Sequence, residues 1–267
     1  MADDPLARVA ELPGVPEAVA QARASVDRLL AHRLLRRRSA EVSAEGALRS
    51  ARASAALEGV DVALDDLRAA MATDAPVPPL VAGALRVAAG LGGSTASWEH
   101  APRQVLARLH LLALGRDAEA DRVGRPRADL VADDPLGLGP PPAPLEVSAR
   151  LEGLTRSLVV PTRAPALVVA AVVHGELLAL RAFGSADGIV ARAAARLVLI
   201  GRGLDPKAVA APEVGHLEEG GYAEVARGYV GGGPAGLSAW VVHCCHATAL
   251  GAREGLAVVE ALQRGDF

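Results

Sequence analysis

Apolar residues recur at intervals of three and four through most of the sequence, which is the spacing of one face of an α-helix. The alternation of apolar and polar residues that marks a half-buried strand is almost absent. Aromatic residues make up only 2% of the chain, so its core must be built from Ala, Val and Leu, which pack best between closely spaced helices. The sequence therefore predicts an all-α helical bundle.

Turn and capping residues mark several helix ends. Gly59 lies just past the second predicted helix, and Asp61 is a candidate cap for the third. The predicted helices cover about 16–38, 39–57, 62–72, 80–90, 102–115, 145–158, 166–181, 188–202, 213–228 and 236–262. Segment 116–144 fits no helix and ends in "GLGPPPAP"; a loop of this length in a compact chain is usually functional or mobile.

Composition and charge argue against several classes of function. The formal net charge of −3 argues against a nucleic-acid binder, and the basic run 33–38 has the Leu spacing of an amphipathic helix face. The longest apolar run, 164–173, is about half of what a membrane span needs, and the acidic N-terminus is not a signal peptide. The only cysteines, Cys244 and Cys245, are adjacent, so no disulfide framework exists. We therefore expect a soluble, cytoplasmic protein that binds neither nucleic acid nor membranes.

Three short motifs resemble functional sites but lack part of the chemistry. "HCCH" at 243–246 lacks the second ligand pair of zinc signatures, so buried thiols on a packed helix are the preferred interpretation. His174 and Glu176 form an H-x-E pair without the P-C-x-x-C of zinc deaminases, and His174 is expected to be a hydrogen-bonded core histidine. "GGGPAG" at 231–236 is interpreted as a flexible connector. No metal ligand is predicted, and the single lysine, Lys207, has no P-loop around it.

The stretch "LRAFGSADGIVAR", residues 180–192, predicts a loop that opens onto a helix at about Gly188. Helix N-termini present free N–H groups and a positive dipole end, so they bind phosphate readily. Asp187 is acidic, however, and a simple helix cap is an equally good interpretation of it.

The same stretch resembles the core motif of the Fic (Fido) family, H-P-F-x-D/E-G-N-G-R-x-x-R. Arg181 stands at the position of the catalytic histidine, and Ser185 at that of the acidic metal ligand. The other aligned positions are Ala182 at the proline, Phe183 at the phenylalanine, Ala186 and Gly188 at the glycines, Asp187 at the asparagine, and Ile189 and Arg192 at the two arginines. His174 stands where many members carry a non-catalytic histidine. The frame of the motif is thus present, while several of its reactive groups are replaced.

A second match concerns the family's inhibitory helix, whose motif is S/T-x-x-x-E-G/N. "SAALEG", from Ser54 to Gly59, fits it in full, and the resemblance implies that Glu58 pairs with Arg192. The stretch "RQVLARLHLLALG", residues 103–115, looks like the helix before the family's target-docking flap, so a short β-hairpin flap is expected in 116–144. The resemblance covers about 20–262 and implies a Fic-like core in 76–267, preceded by N-terminal helices in 1–75, in one compact unit.

Family members transfer AMP from ATP to a protein hydroxyl with Mg²⁺, so ATP and Mg²⁺ are cofactors by resemblance only. Arg181 cannot act as the base, because a guanidinium stays protonated, and Ser185 offers Mg²⁺ only a neutral ligand. No catalytic residue is therefore predicted. The remaining candidates for nucleotide or anion binding are Phe183, Ser185, Asp187, Gly188 and Arg192.

Three interpretations follow from these residues. The first is a degenerate Fic-fold protein without AMP transfer that acts through a protein partner or weak nucleotide binding, with a homodimer as one possible state. The second is an active nucleotidyltransferase that uses another base, such as His100 or His110. The third is an unrelated α-helical binding module.

Overall fold

A computed structural model describes residues 4–115 and 122–265, and in these ranges the regular structure is helical throughout. The α-helices are α1 (Pro5–Val9), α2 (Val15–Leu30), α3 (Ser39–Ala56), α4 (Leu64–Thr73), α5 (Pro79–Gly90), α6 (Thr95–Trp98), α7 (Pro102–Leu114), α8 (Pro144–Val159), α9 (Ala166–Leu180), α10 (Asp187–Gly201), α11 (Pro212–Glu219), α12 (Tyr222–Gly231) and α13 (Gly233–Arg264). Two 3₁₀ helices cover Arg33–Arg36 and Gly92–Ser94. The predicted all-α fold is confirmed.

The centre of the bundle is α9 packed against α10. Almost every residue of α9 is buried, which explains its nearly continuous apolar sequence. Around this pair, α13 packs on α2 and α11, and α3 packs on α5 and α11. Residues from both predicted units, 1–75 and 76–267, contribute to one hydrophobic core. None of the helices in the described part of the chain is both long and apolar enough to cross a membrane.

Four sequence predictions on helix ends are wrong. Helix α2 ends at Leu30, before the predicted 38, because the His32 side chain accepts from Leu34 N–H and starts a 3₁₀ turn. Asp61 does not cap α4, whose N-cap is Ala63; its carboxylate pairs with Arg52 at 2.6 Å.

The predicted helix 213–228 is two helices, broken by the left-handed pair at 220–221. The 231–236 stretch is no flexible connector, because α13 already begins at residue 233.

The predicted β-hairpin flap is also absent from the part of its segment that the structure describes. Residues 122–143 form turns and extended pieces without a strand, and 116–121 lie outside the described residues. The prolines near the end of this segment cannot donate main-chain hydrogen bonds to a strand partner, which disfavours a hairpin there. The segment instead packs on the loop between α9 and α10.

Candidate functional site

The candidate site is built on the loop between α9 and α10, residues 181–186, which we call the core loop. Arg181 and Ala186 both have a positive φ, 42° and 52°, a backbone region that is costly for residues other than glycine. Gly184 between them has a φ of 82°. Such a backbone persists only where its surroundings fix it, so the core loop must be held by specific contacts.

Segment 122–143 supplies many of these contacts. The Arg127 main-chain N–H donates to the Ala182 carbonyl at 2.8 Å, and the Asp133 N–H donates to the Gly184 carbonyl at 2.9 Å. The buried Arg127 guanidinium donates to the carbonyl of Arg181 at 3.0 Å. It also bonds carbonyl oxygens of Asp129, Pro142 and Leu180. Arg127 thus holds the segment on the core loop through both its main chain and its side chain.

Arg181 lies at the catalytic-histidine position of the resemblance and is 3% exposed. Its Nη1 lies 3.4 Å from Asp134 Oδ2, an ion-pair distance that is long for a hydrogen bond. Among the described residues, its Nε and Nη1 have no hydrogen-bond partner. The side chain is therefore a buried cation that an acidic residue of segment 122–143 partly neutralises.

Asp187 is the first residue of α10, and its side chain turns back to the core loop. The Phe183 N–H donates to Oδ1 at 2.9 Å, while Oδ2 has no hydrogen-bond partner in the described part of the chain. Burial raises the pKa of Asp187 to about 7, although the Phe183 N–H opposes this. The cap interpretation is therefore wrong in detail: the N-cap is Ala186, and Asp187 closes the core loop.

The inhibitory-type motif lies against the start of α10. Arg192 Nη2 donates to Glu58 Oε1 at 2.7 Å and to the Ser54 carbonyl at 2.9 Å. Its Nε donates to Ser54 Oγ at 2.9 Å, and its Nη1 donates to Tyr222 Oη at 3.2 Å. The ion pair that the resemblance implies is present, and all three nitrogens of the buried guanidinium have partners.

Glu58 also covers the first turn of α10. A Cβ added at Gly188 would overlap Glu58 Oε1, so a side chain at this position would force the carboxylate to move. Gly59, the last residue of the motif, has a φ of 89° just past α3, as predicted for a helix end. Gly59 shapes the turn that leaves Glu58 pointing at α10.

The remaining predicted residues are not part of the ion pair, although His174 is linked to Arg192 through Tyr222. Phe183 stacks on His110 with ring centroids 4.4 Å apart, and Ile189 is 2% exposed in the core. Ser185 is half-buried at the bend of the core loop. His174 is a hydrogen-bonded core histidine, as predicted, with Nε2 2.8 Å from Tyr222 Oη. Sequence reasoning missed Arg127, Asp134 and Tyr222, because none belongs to a local motif.

Comparison by sequence finds nothing, whereas comparison by structure finds one fold repeatedly. No protein-family model matches the chain, and no curated protein matches it significantly. A Fic family protein from Desulfovibrio desulfuricans G20 superposes with a TM-score of 0.72 at 17% identity, covering 90% of this chain and 74% of that one. Fic-1 (residues 134–508) from C. elegans gives 0.66 at 17%, covering 92% and 73%.

A third solved structure agrees with these two. A Fic domain containing signaling protein from Bacteroides thetaiotaomicron VPI-5482 superposes with a TM-score of 0.61 at 14% identity, covering 91% of this chain and 98% of that one. The chain therefore has the fold of Fic proteins, as the core-loop motif and the 54–59 motif predict.

Proposed function

We propose that this chain is a Fic-fold protein that does not transfer AMP and acts by binding another protein. The observation that carries the proposal is Arg181, a buried cation 3.4 Å from Asp134 at the position of the family's catalytic histidine. Glu58 adds to it, because it lies over the first turn of α10 and pairs with Arg192 at 2.7 Å. By resemblance, this helix start and this arginine receive the triphosphate of ATP. A carboxylate there occupies the positive end of the helix dipole and repels phosphate oxygens.

The other residues of the core loop do not fit ATP and Mg²⁺ either. Arg181 remains protonated and cannot accept a proton from a target hydroxyl. Ser185 offers a neutral oxygen where Mg²⁺ favours a carboxylate. Loss of a general base alone removes about 10²- to 10⁴-fold in rate. Asp187 stands at the family's asparagine position rather than at that of the metal ligand, and its Oδ1 accepts from the Phe183 N–H.

Protein binding is supported by segment 122–143, which lies where the resemblance implies a target-docking flap. Leu130 and Val131 in this segment are 63% and 72% exposed. The main-chain hydrogen bonds of Arg127 and Asp133 hold this apolar pair beside the core loop. Because the pair is already positioned, a partner would lose little of its binding free energy to ordering it.

The test of the first claim is label transfer from ATP that carries its label on the α-phosphate. The chain is incubated with labelled ATP, Mg²⁺ and candidate acceptor proteins, with a Fic protein of intact motif as the positive control. We expect no incorporation into the chain or the acceptors. Incorporation that requires the folded chain would overturn the proposal.

The test of the second claim is site-specific photo-crosslinking. A crosslinker at position 131 is compared with one at Leu145, which is 85% exposed on α8 and outside the segment. A protein contact at position 131 would be supported by defined crosslinked species that are lost in the Leu130→Ser variant. Equal patterns from both positions would contradict it.

An altered nucleotidyltransferase is the second candidate, and one cleft favours it. A cleft of about 640 Å³ lies beside the core loop. The residues that line it include His100, Arg103, Gln104, Arg156 and Phe183. His110, the other candidate base, is 0% exposed and cannot reach a target hydroxyl. If labelled AMP were transferred, this candidate predicts its loss in His100→Ala and its retention in His246→Ala, another exposed histidine.

A further inference from the structure

A second polar cluster lies inside the bundle, formed by four helices. His174 of α9, His216 of α11, Tyr222 of α12 and both Trp240 and His243 of α13 pack their rings together. All of these side chains are buried. So many nitrogen and oxygen atoms in an apolar interior require partners, because an unpaired buried polar group is costly.

Three members of this region offer metal-ligand atoms close together. One ligand atom each from His174, His216 and Cys244 lies within 4.8 Å of the other two. Ligands bound tetrahedrally to zinc at about 2.0–2.3 Å are about 3.5 Å apart, so small side-chain movements would close the set around an ion. Two imidazoles and one thiolate are the donors that soft and borderline cations prefer.

Each of the two imidazoles is held by a hydrogen bond at one nitrogen. His174 Nε2 lies 2.8 Å from Tyr222 Oη, and His216 Nδ1 lies 3.1 Å from His243 Nε2. Metal-binding histidines are commonly oriented in this way, with one ring nitrogen on an outer partner and the other on the ion. Tyr222 and His243 would therefore be positioning residues rather than ligands.

A small cavity adjoins the same three side chains. It has a volume of about 20 Å³ and is lined by His174, His216 and Cys244, together with Arg192 and Glu213. This is enough for one water molecule, which could complete four-coordinate zinc.

Protonation and charge are compatible with a bound cation. Burial lowers the pKa of His174 and His216, which keeps both imidazoles neutral with a lone pair for a metal. Burial also raises the pKa of Cys244, so binding must form a metal–sulfur bond as the thiol proton leaves to solvent. The nearby charge of Arg192 opposes a cation, but Glu58 neutralises it at 2.7 Å.

We propose that His174, His216 and Cys244 form a binding site for one thiophilic d¹⁰ cation. Zn²⁺ would take the cavity water as its fourth ligand, whereas Cu⁺ would need only the three side chains. The site connects α9, α11 and α13, so a bound ion would stabilise the centre of the bundle. It involves neither the core loop nor AMP transfer.

The experiment uses the full chain and its two cysteines. The protein is refolded anaerobically with excess Zn²⁺, Cu⁺ or Co²⁺, because the buried site cannot load through an open surface. Unbound metal is removed, and bound metal is measured by elemental analysis.

Co²⁺ reports the ligands, because a thiolate bound to it gives a sulfur-to-metal charge-transfer band. Cys245→Ala leaves Cys244 as the only thiol, and Cys244→Ala is its matched control.

We expect about one ion per chain in the wild type and in Cys245→Ala. We expect at least about tenfold weaker binding in Cys244→Ala. The charge-transfer band should persist in Cys245→Ala, which tests the assignment even if Cys244→Ala fails to fold. His246→Ala should change nothing, because this histidine is exposed and paired with Glu219. Absence of bound metal from the refolded wild type in all three cases, or a band lost in Cys245→Ala, would overturn the proposal.

Discussion

Glu58 and Arg192, which are 134 residues apart in sequence, form an ion pair of 2.7 Å with side chains only 8% and 1% exposed. Burial opposes the charge of Arg192, yet Tyr222 and Glu58 raise its pKa above the usual value. The pair joins α3 to α10 across the interior of the bundle. If the chain does not transfer AMP, as we propose, the role of this contact is structural.

Glu58→Ala should therefore destabilise the protein rather than activate it. The variant leaves a buried guanidinium without its counter-charge, which costs about 3–5 kcal/mol of unfolding free energy. Urea denaturation measures the change, and Glu58→Gln, which keeps a hydrogen-bond acceptor, should lose less. An increase in label transfer from ATP at an unchanged melting temperature would count against this account.

Gly188→Ala tests the close approach of Glu58 to α10. The added methyl group would overlap Glu58 Oε1, so we expect a lower melting temperature. Gly153 is a matched control, because it is an exposed residue of α8 with nothing within 4 Å of its missing Cβ. Gly153→Ala should stabilise by up to about 1 kcal/mol through helix propensity. The two substitutions should therefore shift the melting temperature in opposite directions.

Asp187→Asn tests the buried carboxyl at the start of α10 that closes the core loop. Its folded-state pKa of about 7 lies above the unfolded value of 3.8, so the folded state holds the proton more tightly. The stability contributed by this group is therefore complete below about pH 4 and is lost as the pH rises to about 7. Asparagine keeps an acceptor for the Phe183 N–H and cannot ionise.

The variant should consequently gain stability relative to the wild type as the pH rises. The difference in unfolding free energy between the variant and the wild type should change by roughly 4 kcal/mol from pH 4 to pH 8. Chemical denaturation at each pH measures it. A difference that stays constant over this range would show that the pKa of Asp187 is not raised in the folded protein.

Arg127→Ala should release segment 122–143 from the core loop. The side chain bonds carbonyl oxygens in both parts, including that of Arg181 at 3.0 Å. We expect faster hydrogen exchange at the amides next to Arg127 in sequence and at the Asp133 amide. In the wild type, the Asp133 amide donates to the Gly184 carbonyl at 2.9 Å. Arg125→Ala, at an exposed position in the same segment, should leave exchange unchanged. Equal exchange in both variants would mean that Arg127 does not hold the segment.

The sequence predicted most of the helices because their apolar period is a local property. It also predicted the pairing of Glu58 with Arg192, since each belongs to a recognisable motif. The contacts of Arg127 were not predictable, because the guanidinium bonds main-chain carbonyls more than 50 residues away, and a carbonyl has no sequence signature.

The break at 220–221 and the cluster around Cys244 illustrate two further limits. Two adjacent glycines were visible in the sequence, but only their left-handed backbone separates α11 from α12. In the sequence Cys244 belongs to "HCCH", whereas in the structure it lies close to His174 and His216 of other helices. Which residues meet across helices depends on packing, which local spacing does not specify.

We propose that the Glu58 carboxylate keeps nucleotide phosphates away from the start of α10. A titration of the wild-type chain with ATP, with and without Mg²⁺, measures this through the melting temperature. A ligand at a hundred times its Kd would add about 2.7 kcal/mol of stability, which is easily measured. The account predicts no shift at millimolar ATP. A Mg²⁺-dependent rise that disappears in Arg192→Ala would contradict it.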